Sequence, residues 1–569
     1  MRGKGWMITA AILLFVLIGA VFSVIEWKET NPAFLNNHIK LVIGNVEIED
    51  IEEPYIDDTE IYLPFAVVQQ HISEGISLSE DQKRVFIPLK DKAIQLEDLK
   101  LTRMIQDNEI SINIPTKNLE GQIYVPVELL QKIEGFNISL SENRRTVFVD
   151  EFSEKEQWGI VTGNPLRLTP KRTFFTFAVE RLNNGSQVRI LEEENGWVRV
   201  RSQEGNFGYL EKKYVSEIYE KNTTDYQMNI KREDFNDRGK QINLAWEYVH
   251  EKSPKLSEEE KIEALDVIAP TWFSVMDEEG TVLNKADKSY VEEAHKKGYQ
   301  VWALVDNSFD PDLTSKVLNN KDIRSKVIGQ LVFYASLYNL DGINVDFENM
   351  YYADQAAFVT FMEELKTQIK LQSLVLSVDV TVPSTSEQWS KVYDRKALAS
   401  IVDYVAVMTY DEHWASSPVS GSVASIGWVE RGIQRSLEFI PEEKMLIGLP
   451  FYTRVWREYK DENGKNKVES KAISMVRAKE IILEKKADVL WDEAAGQYFA
   501  KYEEDEGIFK IWLEDPRSIA LKASLVSKYQ LAGTAAWRRG FEDRAVWPVL
   551  QEMIKEGKDH KALVFHNPF

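Results

Sequence analysis

The sequence predicts an α/β fold class: a closed (β/α)8 barrel in the C-terminal half, preceded by a small all-β barrel, two small α+β repeats and an N-terminal transmembrane helix. Two observations carry the barrel. Eight buried-looking strand stretches alternate with helical patterns between residues 242 and 537. The fourth stretch ends in polar side chains that share one face, at the strand end where such barrels place their active sites. The chain has 569 residues and a formal net charge of -22, long enough for several domains. So acidic a chain repels phosphate, which argues against nucleic acid as a partner. There is no cysteine, so disulfides, thiolate zinc sites and cysteine nucleophiles are excluded.

From Trp6 to Ile25 no residue is charged, and as a helix the run is about one bilayer thick. Arg2 and Lys4 precede it and Glu26 follows, an asymmetry that keeps the N-terminus in the cytoplasm and sends the rest outside. Residues 1–27 read as an uncleaved single-pass anchor in the cell membrane. A cleaved signal peptide, with secretion to the cell wall, is the alternative. Under both readings the remaining chain is extracytoplasmic.

Residues 36–150 hold an internal repeat. Ile61-Tyr62-Leu63-Pro64 recurs as Ile123-Tyr124-Val125-Pro126, Ile76-Ser77-Leu78-Ser79-Glu80 as Ile138-Ser139-Leu140-Ser141-Glu142, and Val85-Phe86-Ile87 as Val147-Phe148-Val149, always at an offset of 62 residues. Each copy reads as strand, short helix, turn, strand, with helices near Phe65–Gln70 and Val127–Lys132. The region resembles the repeat at the N-terminus of copper amine oxidases and of many exported bacterial proteins. Only His38 and His71 lie nearby, so no metal is expected and the pair reads as a structural or wall-facing spacer.

Residues 155–219 contain short alternating stretches, Val188–Glu193, Trp197–Arg201 and Phe207–Leu210, with Asn195-Gly196 and Gly205 in turns. About five short strands in so few residues imply a small barrel. The pattern Gly-Trp-Val-Arg-Val, Gly-Tyr-Leu, Tyr-Val resembles a bacterial Src-homology-3-like domain, and that resemblance implies contact with cell-wall peptides. Trp197 and Tyr209 are either core or ligand platforms.

A polar stretch, Glu220–Asp237, leads into the barrel of residues 235–558. Its strands are expected at Ile242–Val249, Val267–Phe273, Gln300–Val305, Gly342–Phe347, Val375–Val382, Tyr404–Thr409, Met445–Phe451 and Gly533–Trp537. Helical patterns at Asp287–Lys297, Asp354–Leu371 and Ser518–Tyr529 separate them, as a TIM barrel requires. The stretch 458–509 is too long for one helix and implies an insertion near the active face. Along Asp341-Gly342-Ile343-Asn344-Val345-Asp346-Phe347-Glu348, side chains alternate faces. Asn344, Asp346 and Glu348 point inward together, and three buried polar groups are costly as mere filling.

This segment resembles the D-G-x-D-x-D-x-E signature of glycoside hydrolase family 18. The likeness extends over roughly 235–556. Met408-Thr409-Tyr410-Asp411 is similar to the family's M-x-Y-D. Gly448-Leu449-Pro450-Phe451-Tyr452-Thr453-Arg454 is similar to its G-x-P-x-Y-x-R, and Trp537 ends strand eight. The resemblance implies a substrate-assisted retaining glycosidase that needs no cofactor. The sugar's own N-acetyl carbonyl attacks its anomeric carbon. Glu348 is then the general acid and later the base. Asp346 raises its pKa and accepts the acetamido N–H, and Tyr410 donates to the acetamido carbonyl. Trp537 forms the floor under the N-acetyl methyl. Asn344, Met408, Asp411 and Arg454 complete the implied substrate-binding set, with a supporting role open for Asp411 and Arg454.

Asn344 departs from the signature, whose second acidic position it occupies. Asp346 is therefore expected to work beside a neutral neighbour. By resemblance, that departure suits the branch acting on peptidoglycan or spore-cortex glycan strands, and the membrane anchor and wall-type modules point the same way. A chitin-oligosaccharide hydrolase is the alternative enzyme, and a non-catalytic glycan-binding barrel the alternative class. Trp246, Trp272, Trp302, Trp414 and Trp456 are candidates to line a sugar cleft, several of them necessarily core. His413 is either a substrate contact or a loop histidine.

Overall fold

The computed structural model describes residues 38–57, 60–89, 110–152, 155–163, 165–173, 176–221, 241–505 and 507–565. The expected anchor lies outside the described residues, and among those described no helix is long and apolar enough to cross a membrane. The chain divides into two compact units, 1–97 with 114–229, and 98–113 with 230–569.

In the first unit the two repeat copies interlock. Glu60–Pro64 pairs antiparallel with Gln122–Pro126, so that Leu63 faces Val125 and each motif strand lies against its own repeat. Short helices follow at Phe65–His71 and Val127–Glu134. A second sheet joins the start of the region to its end: Lys40–Ile43 runs parallel to Thr146–Glu151. The proline at the end of each motif strand, Pro64 and Pro126, is the N-cap of the helix that follows. Such a position needs no backbone donor.

Residues 156–221 form a five-stranded antiparallel sheet in the order Phe207–Glu211, Trp197–Ser202, Gln187–Glu194, Glu156–Val161, Val215–Lys221. Its core is aliphatic: Val161, Leu168, Leu182, Val188, Val198, Val200, Leu210 and Val215. Trp197 and Tyr209 are half-buried and stand outside that core, with Arg172 over the Tyr209 ring.

In the second unit eight parallel strands close on themselves: β1 Ile242–Glu247, β2 Val267–Val275, β3 Gln300–Asp306, β4 Gly342–Asp346, β5 Val375–Thr381, β6 Tyr404–Met408, β7 Met445–Pro450 and β8 Gly533–Trp537. Each pairs with its sequence neighbour, and β1 pairs in parallel with both β2 and β8, which closes the ring. The strands are mostly apolar because both faces are buried, one inside the ring and one under helices. On β4 the outward set packs on the helix Gln355–Ile369, with the Phe347 ring stacked on Phe358 and Phe361 at 5.7 and 5.3 Å. Inside, Gly342 makes room for Trp302. A Cβ at 342 would sit 2.7 Å from that indole, and Trp302 stacks on Tyr404 at the same level.

Helices begin at side-chain caps. Asp310 accepts from the backbone of Asp312 and Leu313, and Asn320 accepts from Asp322 and Ile323. Asp515 and Ser518 form a reciprocal capping box at the start of Pro516–Tyr529.

The insertion is larger than the sequence spacing suggests. An antiparallel sheet of five strands, in the order Asn466–Ser474, Tyr452–Lys460, Gly507–Leu513, Gln497–Glu504, Asp488–Asp492, carries the helix Met475–Glu484. It begins two residues after β7, because the chain stays extended from Tyr452 onward instead of turning into a helix.

Candidate active site

The C-terminal end of β4 brings the acids together. The inward face of the strand runs Gly342, Asn344, Asp346, and Glu348 follows just past its end. Asn344 is fully buried, and every hydrogen bond it makes is internal. Its Oδ1 accepts from Trp246 Nε1 at 2.9 Å, and its Nδ2 donates to Ser377 Oγ at 2.9 Å and to Asp379 Oδ1 at 2.8 Å. That placement corrects the expectation of a substrate contact: Asn344 lies in the floor and orients the groups around it.

Asp379, on β5, was missed by sequence reasoning, and it corrects the expectation of a neutral neighbour for Asp346. It is 1% exposed and also accepts from Trp246 Nε1, at 3.1 Å. Its signal was available in the alternation of Val375–Thr381, which puts Ser377 and Asp379 on the inward face as surely as it puts Asp346 there.

Asp346, Asp379 and Glu348 form one electrostatic cluster. Burial is the first cause raising each, and repulsion from the other acids of the cluster adds to it for Asp346 and Asp379. Asp346 is pushed well above the ordinary carboxyl range, with Glu348, Asp379 and Asp306 all contributing. Glu348 is raised from 4.5 to about 7, by burial first and by the Asp411 charge second. Three carboxyls so placed cannot all ionise together, so the cluster keeps protons at neutral pH. Asp379 has two donors on its carboxylate, which favour its anion. Asp346 Oδ1 is buried and has no hydrogen-bond partner among the described residues. Such an atom is normally satisfied, and here it is free to take a donor from outside the protein.

Glu348 is fixed through its main chain. Asn307, at the end of β3, accepts from Glu348 N at 3.0 Å and donates to Glu348 O at 2.7 Å. Tyr393 donates to Phe347 O at 2.9 Å. Asn349 donates to Phe309 O at 2.9 Å, which ties the same two loops a second time. Ser308, Phe309 and Asn349 all have left-handed backbone, φ 55, 54 and 54°. Non-glycine residues hold such conformations only where their surroundings impose them, commonly at functional sites.

From β6, Met408 and Tyr410 share the inward face; Met408 is 9% exposed, a buried support, and Tyr410 is half-buried. Tyr410 lies edge-on to Tyr452, centroids 6.2 Å apart, and its hydroxyl is raised well above its usual range by burial, then by Tyr452 and the acids Asp346, Asp379 and Glu348. Gly448 on β7 allows this: a Cβ there would sit 2.9 Å from Tyr410 Cε1 and 2.8 Å from Thr409 N. Asp411 accepts from Tyr452 Oη at 2.5 Å and lies 3.9 Å from Arg454 Nη2. Arg454 belongs to the first strand of the insertion and donates to Ser470 Oγ at 3.2 Å. At β8, Trp537 is half-buried, its ring 6.2 Å from that of Trp246.

Four of the candidate cleft tryptophans, Trp246, Trp272, Trp302 and Trp456, are fully buried and belong to the core. Trp414 alone of the five is exposed, at 52%. His413 bonds Ser422 O and abuts Trp456 and Gly421, so it is a loop support.

Residues 272–542, from the middle of β2 to the loop beyond β8, match the model of Glycosyl hydrolases family 18. The barrel is a family 18 glycosyl hydrolase domain. Residues 42–149 match the copper amine oxidase N-terminal domain and 178–216 the bacterial SH3 domain. The uncharacterized glycosylase YvbX of Bacillus subtilis (strain 168) is 27% identical over 307 residues, covering 51% of this chain and 85% of that protein. The cortical fragment-lytic enzyme of Bacillus anthracis is 27% identical over 284 residues, covering 48% of this chain and 65% of that one. The chain thus spans just under two thirds of the lytic enzyme's length. Among solved structures, the C-terminal domain of a candidate chitinase from Desulfitobacterium hafniense superposes with a TM-score of 0.50 at 24% identity, covering 55% of this chain and 99% of that one. That likeness concerns the barrel fold of the family 18 domain.

Proposed function

We propose that this protein is a glycosidase that cleaves β-linked N-acetylglucosamine in peptidoglycan or spore cortex by a substrate-assisted, retaining mechanism. The observation that carries the reading is the pair formed by Glu348, raised to about 7, and the buried, unpartnered Asp346 Oδ1 beside it. Glu348 protonates the glycosidic oxygen and the leaving sugar departs. The acetamido carbonyl oxygen of the retained sugar closes on C1, giving an oxazolinium ion. Asp346 accepts its N–H through the unpartnered Oδ1, and the negative charge left in the acidic cluster opposes its charge, while Tyr410 donates to the carbonyl oxygen and holds it in line. Trp537 supplies an apolar surface for the acetyl methyl. Glu348, now a carboxylate, takes a proton from water as that water attacks C1 and reopens the ring with retention.

The wall or cortex substrate is supported by the likeness to a cortical fragment-lytic enzyme and by the two small modules that precede the barrel. The same reading puts the barrel outside the cell, held at the membrane by residues 6–25 or released to the wall, with the small modules against wall material.

The test incubates wild-type protein and Glu348→Gln with cortex fragments, vegetative peptidoglycan and chitin oligomers. Products are read by mass spectrometry and the anomer by NMR. Wall-derived products with retained β configuration from the wild type alone are expected. Equal yields from both proteins, or inversion, would refute the mechanism. Release from chitin only would move the substrate to chitin oligosaccharides.

A further inference from the structure

Two arginines follow Trp537, and they are treated in opposite ways. Arg539 is 5% exposed and ion-paired: its Nη1 donates to Glu247 Oε2 at 2.7 Å, its Nη2 to Glu259, and its backbone N to Trp246 O at 2.8 Å. Arg538 has no ion pair and no hydrogen bond from its side chain among the described residues. Its guanidinium lies against two rings, 3.9 Å from the centroid of Phe541 and 5.0 Å from that of Tyr248. Tyr248 is 48% exposed and follows β1, the strand beside β8. Arg538 and Tyr248 therefore stand at the barrel end where Trp537 lies.

Arg538 keeps its charge without an ion-pair partner among the described residues, in a chain that carries 91 acidic residues against 69 basic ones. Glu247, the carboxylate acting on Arg538, is already taken by Arg539 and Tyr290. Burial without a partner opposes the charge, yet a guanidinium stays ionised. The two rings hold the guanidinium by cation–π contact, and among the described residues no side chain takes its N–H groups. That geometry suits a carboxylate arriving from outside, which binds a guanidinium edge-on through two parallel hydrogen bonds.

We propose that Arg538 is a specificity-determining residue that binds a carboxylate of the glycan, on the sugar adjoining the one seated at Trp537. This rests on the proposed peptidoglycan reading and sharpens it. Chitin oligomers are uncharged. A muramic acid residue carries a lactyl carboxylate when its peptide is absent and stem-peptide carboxylates when the peptide is present. Muramic lactam has consumed the lactyl carboxyl and offers none.

The experiment measures binding by calorimetry in the full chain carrying Glu348→Gln, with and without Arg538→Gln or Arg538→Lys. The ligands are a chitin tetramer, a peptide-stripped N-acetylglucosamine–N-acetylmuramic acid tetramer, and the same tetramer bearing stem peptides. A carboxylate ligand should bind tighter than chitin, and R538Q should lower the affinity ratio of carboxylate ligand to chitin by roughly tenfold or more. R538K, which keeps the charge without the planar fork, should fall between. The ratio should also shrink at high salt in the parent and not in R538Q. Loss confined to the stripped tetramer assigns the lactyl group, and loss confined to the peptide-bearing one assigns the peptide; either supports the inference. An unchanged ratio in R538Q, or equal loss for chitin, overturns it. Hydrolysis by the wild type is scored separately, so a failure of the glycosidase reading leaves the binding ratio interpretable.

Discussion

Asn307 makes both main-chain hydrogen bonds of Glu348, accepting from its N–H at 3.0 Å and donating to its carbonyl at 2.7 Å. The amide is 1% exposed and is itself held by Thr314 Oγ1 at 2.8 Å. No neighbouring strand pairs with Glu348, which lies beyond the end of β4, so this side chain supplies the contacts that a sheet partner would otherwise make. Asn307 is therefore a positioning residue. Asn307→Ala should lower kcat roughly 10- to 100-fold with a much smaller change in KM, because a misplacement of about 1 Å at the acid can cost that much. Asn307→Asp keeps the acceptor and loses the donor, and should retain more activity than the alanine variant. A folded alanine variant with unchanged kcat would show that the clamp has no bearing on the acid.

The second prediction concerns pH. Glu348 is held at about 7 by burial first and by Asp411 second. As general acid it must be protonated, so kcat/KM should fall as pH rises through about 7. Asp411→Asn removes a negative charge that disfavours the Glu348 carboxylate, so the pKa of Glu348 drops and the alkaline limb moves to lower pH. Activity should also decline, since Asp411 accepts from Tyr452. A limb that stays put in the variant would mean that Asp411 does not act on Glu348.

Gly448→Ala is the third. The new methyl would meet Thr409 N at 2.8 Å and Val407 O at 2.9 Å, which are backbone atoms that cannot swing aside, and Tyr410 Cε1 at 2.9 Å. Overpacking of this kind costs about 1–3 kcal/mol, and here the ring that yields first is Tyr410. Thermal unfolding should report the stability loss, and assays well below the melting point should show a further drop in kcat. Full activity in the folded variant would refute a role for Tyr410's position.

Much of this site is legible in the sequence because a strand's alternation is rigid. Once 342–348 is read as a strand, Asp346 and Glu348 must share a face. The same rule applied to Val375–Thr381 exposes Asp379, so that omission was avoidable. Asn307 and Tyr393 were not readable. They touch backbone 41 and 46 residues away, and a side chain bonded to a carbonyl leaves no pattern in the partner's residue type. The tryptophans fail for a different reason. Spacing does not separate an indole packed under a helix from one facing a cleft, and four of the five proved to be core. The insertion's extent was misjudged because Tyr452–Lys460 alternates like a barrel strand while belonging to another sheet.

The fourth prediction tests the burial of Glu348 through stability. An acid whose pKa is near 4.5 unfolded and about 7 folded binds more protons in the folded state between those values. Stability from this group is therefore fully present below about pH 4.5 and is lost as pH rises towards about 7, after which the difference is constant. Glu348→Gln removes the titration while keeping the shape. The melting temperature of E348Q minus that of the wild type should be near zero at acid pH, grow across this window and level off above it. The plateau is bounded by on the order of 3 kcal/mol, reduced by solvent at the open mouth of the site. Asp346 and Asp379 titrate in both proteins, so the difference isolates Glu348 apart from its coupling to them. A difference that is flat with pH would show that Glu348 ionises as freely in the folded barrel as in the unfolded chain, and would leave the acid without the raised pKa that its role requires.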